Sequence, residues 1–162
     1  MHLKLSSKFL PVLVKEINKN FKHSQIDYLK TVISSFPNSD YDELLESFKK
    51  KVNFSIYNYD YYNFNLHTND NYEINIINWN KFSSSKIHNH SEMGCILKVL
   101  EGKLLEERFN NNLEFINKNC LQVGKPYFIN NKDVHSIHNI HYGNSYSLHI
   151  YSPSNFKAKT FN

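Results

Sequence analysis

The chain has 162 residues, 40% of them hydrophobic and 15% aromatic, with a mean hydropathy of −0.57, a formal charge of +4 and a pI of about 8.9. That length suits one hydrophobic core and is short for two, so a single domain over residues 1–162 is expected, and the aromatic side chains bring enough buried area to argue against disorder. The positive balance comes from scattered lysines, with Arg108 the only arginine; nucleic-acid recognition leans on bidentate guanidinium groups, and no nucleic-acid partner is expected.

The two cysteines, Cys95 and Cys120, are too few for a disulfide framework and form no Cys-x-x-Cys pair, which fits a cytoplasmic location. The early apolar run Phe9 to Val14 contains Pro11 and ends at Lys15, so neither a signal peptide nor a membrane span is expected. A monomer is the expected state.

From Ser7 to about Lys51 the apolar spacing is helical: Leu13, Val14, Ile17 and Phe21, then Ile26, Leu29, Val32 and Ile33, then Leu44, Leu45 and Phe48. Three short helices over about 7–51 are predicted, the third starting near Ser39-Asp40 after a break at Pro37-Asn38. Beyond Val52 the texture changes to aromatic and β-branched runs separated by Asn, Asp, Ser and Gly. Strands are predicted at Phe54–Tyr59, Glu73–Trp79, Lys86–His90, Cys95–Leu100, Lys103–Phe109, Leu113–Ile116, Tyr127–Ile129, Val134–Ile140 and Ser145–Tyr151, with turns at Gly102 and Asn110–Asn112. So many short strands point to a mainly β fold, a sandwich or barrel over about 54–153.

Side chains two apart on a strand share a face, so His88 and His90 can aim at one point. His135, in a later strand-like alternation and followed by Asn139, supplies a remote third ligand. The other histidines without partners at metal spacing, His2, His23, His67, His138 and His141, are read as surface or hydrogen-bonded residues. The three-histidine set is read as a metal site inside a small β-barrel.

The pair His88-x-His90 with His135-x-x-x-Asn139 resembles the two motifs of the cupin barrel, or jelly roll. Where most cupins carry a metal-binding glutamate, this chain has Cys95. The stretch His88-x-His90-x-x-x-x-Cys95-x-x-Lys98-x-x-x-Gly102 resembles cysteine dioxygenase of the animal type, as does Ser147-Leu148-His149-Ile150-Tyr151-Ser152-Pro153, and Ile76-Ile77-Asn78-Trp79 does so loosely. By alternation Ser147, His149 and Tyr151 face one side and Leu148 and Ile150 the other.

The resemblance implies iron(II) held by His88, His90 and His135, and oxidation of L-cysteine by dioxygen to cysteine sulfinic acid. It also implies a relay of Ser147, His149 and Tyr151, and a thioether crosslink between Cys95 and Tyr151. Three neutral imidazoles leave the full divalent charge on the metal, which favours a thiolate as the incoming ligand. The family holds the substrate carboxylate with an arginine on an early barrel strand, which this chain lacks; aligned segments bring Tyr62 or Phe64 there, and Lys86 is a candidate replacement by strand parity with His88. The substrate is therefore expected to be cysteine or a thiol without the carboxylate, such as cysteamine or an N-terminal cysteine. The alternatives are a cupin that binds metal without turnover, or a zinc or manganese isomerase.

Overall fold

The computed structural model describes residues 3–53 and 60–161. Three α-helices come first: α1 (Phe9–Asn20), α2 (Leu29–Ser34), entered through one 3-10 turn at Ile26–Tyr28, and α3 (Asn38–Lys51). In α1 the buried residues Phe9, Leu13 and Ile17 recur every four positions and form one apolar stripe. Pro11 is accommodated because it stands in the first turn, where its missing N–H breaks no helical bond. Glu43 of α3 caps that end, accepting the Lys8 N–H at 3.0 Å and the Ser7 hydroxyl at 2.6 Å. Helix α3 starts one residue before the expected Ser39, since extended Pro37 already sets the boundary.

The strands are β1 (Tyr61–Thr68), β2 (Glu73–Trp79), β3 (Ile87–His88), β4 (Cys95–Glu101), β5 (Leu104–Phe109), β6 (Phe115–Leu121), β7 (Pro126–Ile129), β8 (Val134–Asn139), β9 (Ser145–Tyr151) and β10 (Thr160–Phe161). They form two five-stranded antiparallel sheets, ordered β1-β2-β9-β4-β7 and β10-β3-β8-β5-β6. The mainly β, cupin-type architecture follows the expectation.

The central strands of the first sheet, β2, β9 and β4, are buried on both faces, whereas β1 at its edge is buried on one. On its outer face Ile74, Ile76, Ile96, Leu148 and Ile150 pack with the helices, through Leu13, Ile17, Leu29, Leu44 and Phe48. On its inner face Ile77, Trp79, Cys95, Leu97 and Val99 meet Leu104 and Ile137 of the second sheet. Lys98 falls on the outer face, where its ammonium group meets the Gly124 carbonyl, Asn38 Oδ1 and, at 4.1 Å, the Tyr41 ring.

Several strand boundaries differ from expectation. The predicted Phe54–Tyr59 strand lies outside the described residues. Strand β1 was hidden by its polar composition, because only alternate residues such as Phe64 and Leu66 are buried. Strand β6 starts at Phe115, two residues after the predicted Leu113, because the Asn110 side chain holds the turn by accepting the Asn112 and Glu114 N–H groups. The expected Lys86–His90 strand shrinks to Ile87–His88.

Gly102 closes the β4–β5 turn with φ +90, and a β-carbon there would stand 2.8 Å from the Ser145 α-carbon. The Ser145 hydroxyl accepts the Lys103 N–H at 3.0 Å and donates to Asn139 at 2.7 Å, so it has no room to yield. Gly102→Ala is expected to destabilise the protein by about 2–4 kcal/mol through left-handed strain and overpacking. Urea unfolding checks this, as a lower midpoint at unchanged slope.

Candidate metal centre

His88 and His135 are direct cross-strand partners in the β3–β8 pair, which sets their rings side by side at 4.7 Å. His90 lies just beyond the end of β3, yet its ring stands 5.1 Å from that of His88 and 4.3 Å from that of His135. Strand parity alone therefore does not bring His90 in. It is held by a contact of its Nδ1 with the Asp133 carbonyl at 3.2 Å.

Each ring engages an acceptor through Nδ1: the Lys86 carbonyl at 2.8 Å for His88, the Asp133 carbonyl for His90, and Glu106 Oε1 at 2.7 Å for His135. Nδ1 therefore carries the proton in each, and Nε2 is left as a bare acceptor. Burial lowers the pKa of all three, and for His90 and His135 neighbouring histidines lower it further, well below the usual range. The His135–Glu106 contact is thus a hydrogen bond from a neutral ring. Two acceptors, Nε2 of His90 and Nε2 of His135, face each other at 2.9 Å with no proton between them. A cation fits that arrangement, and one ligand atom from each of the three rings lies within 4.8 Å of the others.

Behind the rings stands Arg108. Its Nε donates to Glu106 at 2.9 Å and its Nη1 to the Asp133 side chain at 3.5 Å, so the single arginine braces the supports of two of the histidines.

Beside the rings a cavity of about 150 Å³ opens, lined among others by Tyr61, Asn63, Trp79, His149 and Tyr151. On β9, His149 Nε2 contacts the Ser147 hydroxyl at 2.8 Å and its Nδ1 the Tyr151 hydroxyl at 3.0 Å. Burial, with His90 and His88 nearby, pushes the His149 pKa down to about 3, so that ring too is neutral. Cys95 is fully buried, pairs in register with Tyr151, and stands with Sγ 3.8 Å from His149 Nδ1. Burial pushes its thiol pKa up, and burial with Cys95 alongside pushes the Tyr151 hydroxyl up as well.

The sequence pattern of the family described as cysteine dioxygenase type I matches residues 4–162. The chain belongs to the cysteine dioxygenase type I family. It is similar to cysteine dioxygenase type 1 of Danio rerio, 29% identical over 102 residues that span 57% of this chain and 51% of the relative. The Bos taurus protein of that name is 33% identical over 93 residues, 52% of this chain and 46% of the relative. The chain thus spans about half the length of these curated relatives. In fold it resembles TT1209 from Thermus thermophilus, with a TM-score of 0.54 at 13% identity over 65% of this chain and 93% of that one. BH2720 from Bacillus halodurans is similar, with a TM-score of 0.53 at 16% identity over 57% of this chain and 70% of that one.

Within this cysteine dioxygenase family member, two substrate-contact expectations need correction. Phe64 is buried against the helices and Tyr62 packs on the same side, so neither lines the cavity. The residues of β1 that do are Tyr61 and Asn63, one position earlier, because alternation sends odd and even residues to opposite faces. Lys86 does line the cavity, but it is exposed and precedes β3, so strand parity does not direct it. Asn139 takes no part in the ligand cluster. It ties the strand end instead, donating to Asn80 and Gly143 carbonyls at 2.9 Å each and accepting from Ser145.

Glu106 and Arg108 were missed by sequence reasoning. The available signal was parity, since Leu104, Glu106 and Arg108 alternate on one face of the predicted Lys103–Phe109 strand and Leu104 is an inward residue. Glu106→Ala removes the acceptor that fixes the His135 ring and is expected to weaken metal binding about 10- to 100-fold. Competition against a chelator of known affinity measures this, and an unchanged affinity contradicts the assigned role.

Proposed function

We propose that the protein is an iron(II)-dependent thiol dioxygenase that converts a small thiol to its sulfinic acid, with L-cysteine the leading substrate. The observation that carries this reading is the trio of neutral imidazoles with bare Nε2 atoms converging beside the half-buried Tyr151, whose hydroxyl is held by His149. His88, His90 and His135 would hold the metal. With no carboxylate in that ligand cluster among the described residues, the full divalent charge stays on the ion and draws a thiolate to it.

Iron(II), when bound, supplies the redox chemistry that joins dioxygen to sulfur. The balance needs no further reductant: one thiol and one dioxygen give one sulfinic acid, with both oxygen atoms on sulfur. The side chains of the chain position the reactants. Tyr151, held by His149, presents its hydroxyl at the cavity wall, while Tyr61 and Trp79, with rings 4.9 Å apart, form an aromatic wall. Lys86 at the rim is the cation we assign to a substrate carboxylate. As an exposed point charge it is worth about 1 kcal/mol, or about fivefold in affinity.

A cytoplasmic location and a monomeric state belong to the same proposal; both cysteines are free thiols, and no helix among the described residues is long and apolar enough to cross a membrane. Oxygen uptake by iron-reconstituted protein tests the reading. Uptake is expected with cysteine and is expected to vanish in His88→Ala, His90→Ala and His135→Ala, each of which leaves too few protein ligands. Lys86→Met should raise the KM for cysteine about fivefold and spare cysteamine, which has no carboxylate. Absence of uptake with cysteine, cysteamine and a peptide bearing an N-terminal cysteine would favour a metal-binding module without turnover.

We also assign a thioether to Cys95 and Tyr151, which share a register position on neighbouring strands. A C–S bond forms as the S–H and one ring C–H bond break, and the two protons and two electrons released pass to dioxygen, which is reduced to hydrogen peroxide. After turnover, intact-mass analysis should reveal a species lighter by two hydrogen atoms, and Cys95→Ser should abolish it. A linked peptide containing exposed Cys120 instead would contradict the assignment.

A further inference from the structure

Trp79 is the only tryptophan of the chain, and its indole N–H donates to the Ser147 hydroxyl at 2.8 Å. Indole nitrogen is a donor only, so this hydrogen bond has one possible direction. That fact propagates. Ser147 is fully buried, and its side chain has two partners among the described residues, Trp79 and His149. Since the contact to Trp79 uses a lone pair of the serine oxygen, the serine's own proton has a single acceptor left, Nε2 of His149. Were His149 instead to donate from Nε2, the serine proton would be buried without an acceptor, which folded proteins avoid.

We infer that Trp79 is a positioning residue whose indole N–H sets the direction of the whole chain from Trp79 through Ser147 and His149 to Tyr151, fixing His149 as the Nδ1–H tautomer. His149 then donates to the Tyr151 oxygen at 3.0 Å and cannot take the tyrosine proton. The Tyr151 proton points away from His149, toward the occupant of the cavity or the weakly accepting sulfur of Cys95. The pKa of His149, about 3, keeps the ring from becoming a two-sided donor near neutral pH. The relay is thus a one-way donor chain that delivers a hydroxyl donor to the cavity, and Trp79 at its start, also a wall of that cavity, decides the sign at its end.

The catalytic consequence rests on the dioxygenase reading, whereas the tautomer stands on the hydrogen bonds alone, and the test separates the two. Because the chain has one tryptophan, growth on β-(3-benzothienyl)alanine replaces Trp79 alone by an isostere with sulfur in place of N–H. The zinc(II)-loaded full chain, diamagnetic and labelled with nitrogen-15 in histidine, then reports the His149 tautomer by long-range nitrogen–proton correlation. The unsubstituted protein is expected to contain His149 as Nδ1–H, and the isostere to raise the Nε2–H fraction at least tenfold. Trp79→Phe and Ser147→Ala, which cut the chain at its first and second links, should do the same. An Nε2–H ring in the unsubstituted protein, or a tautomer ratio that changes less than twofold in the isostere, overturns the proposal. With iron(II), the isostere should lower kcat for thiol oxidation about tenfold with little change in KM. A shifted tautomer in a protein that oxidises no thiol in either form would keep the positioning role and sink the dioxygenase reading.

Discussion

Two nitrogen lone pairs facing each other at 2.9 Å repel, and much of the structure is arranged to hold them there. The Nδ1 proton of each ring is committed to an acceptor, so no ring can turn to relieve the repulsion without leaving a buried donor unpaired. Burial then keeps the rings neutral, which closes the other route to relief, taking up a proton. What remains is a site whose ordinary partner is a cation. The supports reach outward from the rings: His135 on Glu106, His90 on Asp133, and Arg108 against both carboxylates. An arginine that could bind a substrate carboxylate is here used up in bracing metal-site geometry.

The first sheet organises the other half of the site. Because helices cover one face and the barrel interior the other, each strand sorts its residues by parity: Leu148 and Ile150 into the helical core, Ser147, His149 and Tyr151 toward the cavity side. The same rule sends Phe64 outward and Asn63 inward on β1. A polar row inside an apolar barrel is stable only if its members satisfy one another, and the hydrogen bonds from Trp79 to Tyr151 do so.

The polar row of β9 was legible in the sequence because the two-residue alternation of a strand converts local spacing into direction; the His88-x-His90 pair was legible as a motif, although His90 lies beyond β3 and is brought in by the Asp133 carbonyl. The cupin-type fold was legible for the same reason, through its regular run of short strands. Tyr62 and Phe64 were misplaced because an alignment without a fixed register can slip by one residue, and in a strand one residue is the difference between two faces. Glu106 and Arg108 escaped notice because charge on a strand ordinarily marks a solvent face, and their pairing across β8 and the loop before it is a tertiary fact. The short strand β10 against β3 carries no pattern at all, its two residues being held by pairing with Ile87 and His88.

The central claim is that the three-histidine cluster brings one thiol and one dioxygen together so that both oxygen atoms reach sulfur. Mass spectrometry of the product formed from cysteine under oxygen-18 gas tests it most directly. The account predicts cysteine sulfinic acid carrying both heavy oxygen atoms, formed by the intact protein and not by His135→Ala. A product with one heavy atom or none, or cystine as the sole product, would contradict it.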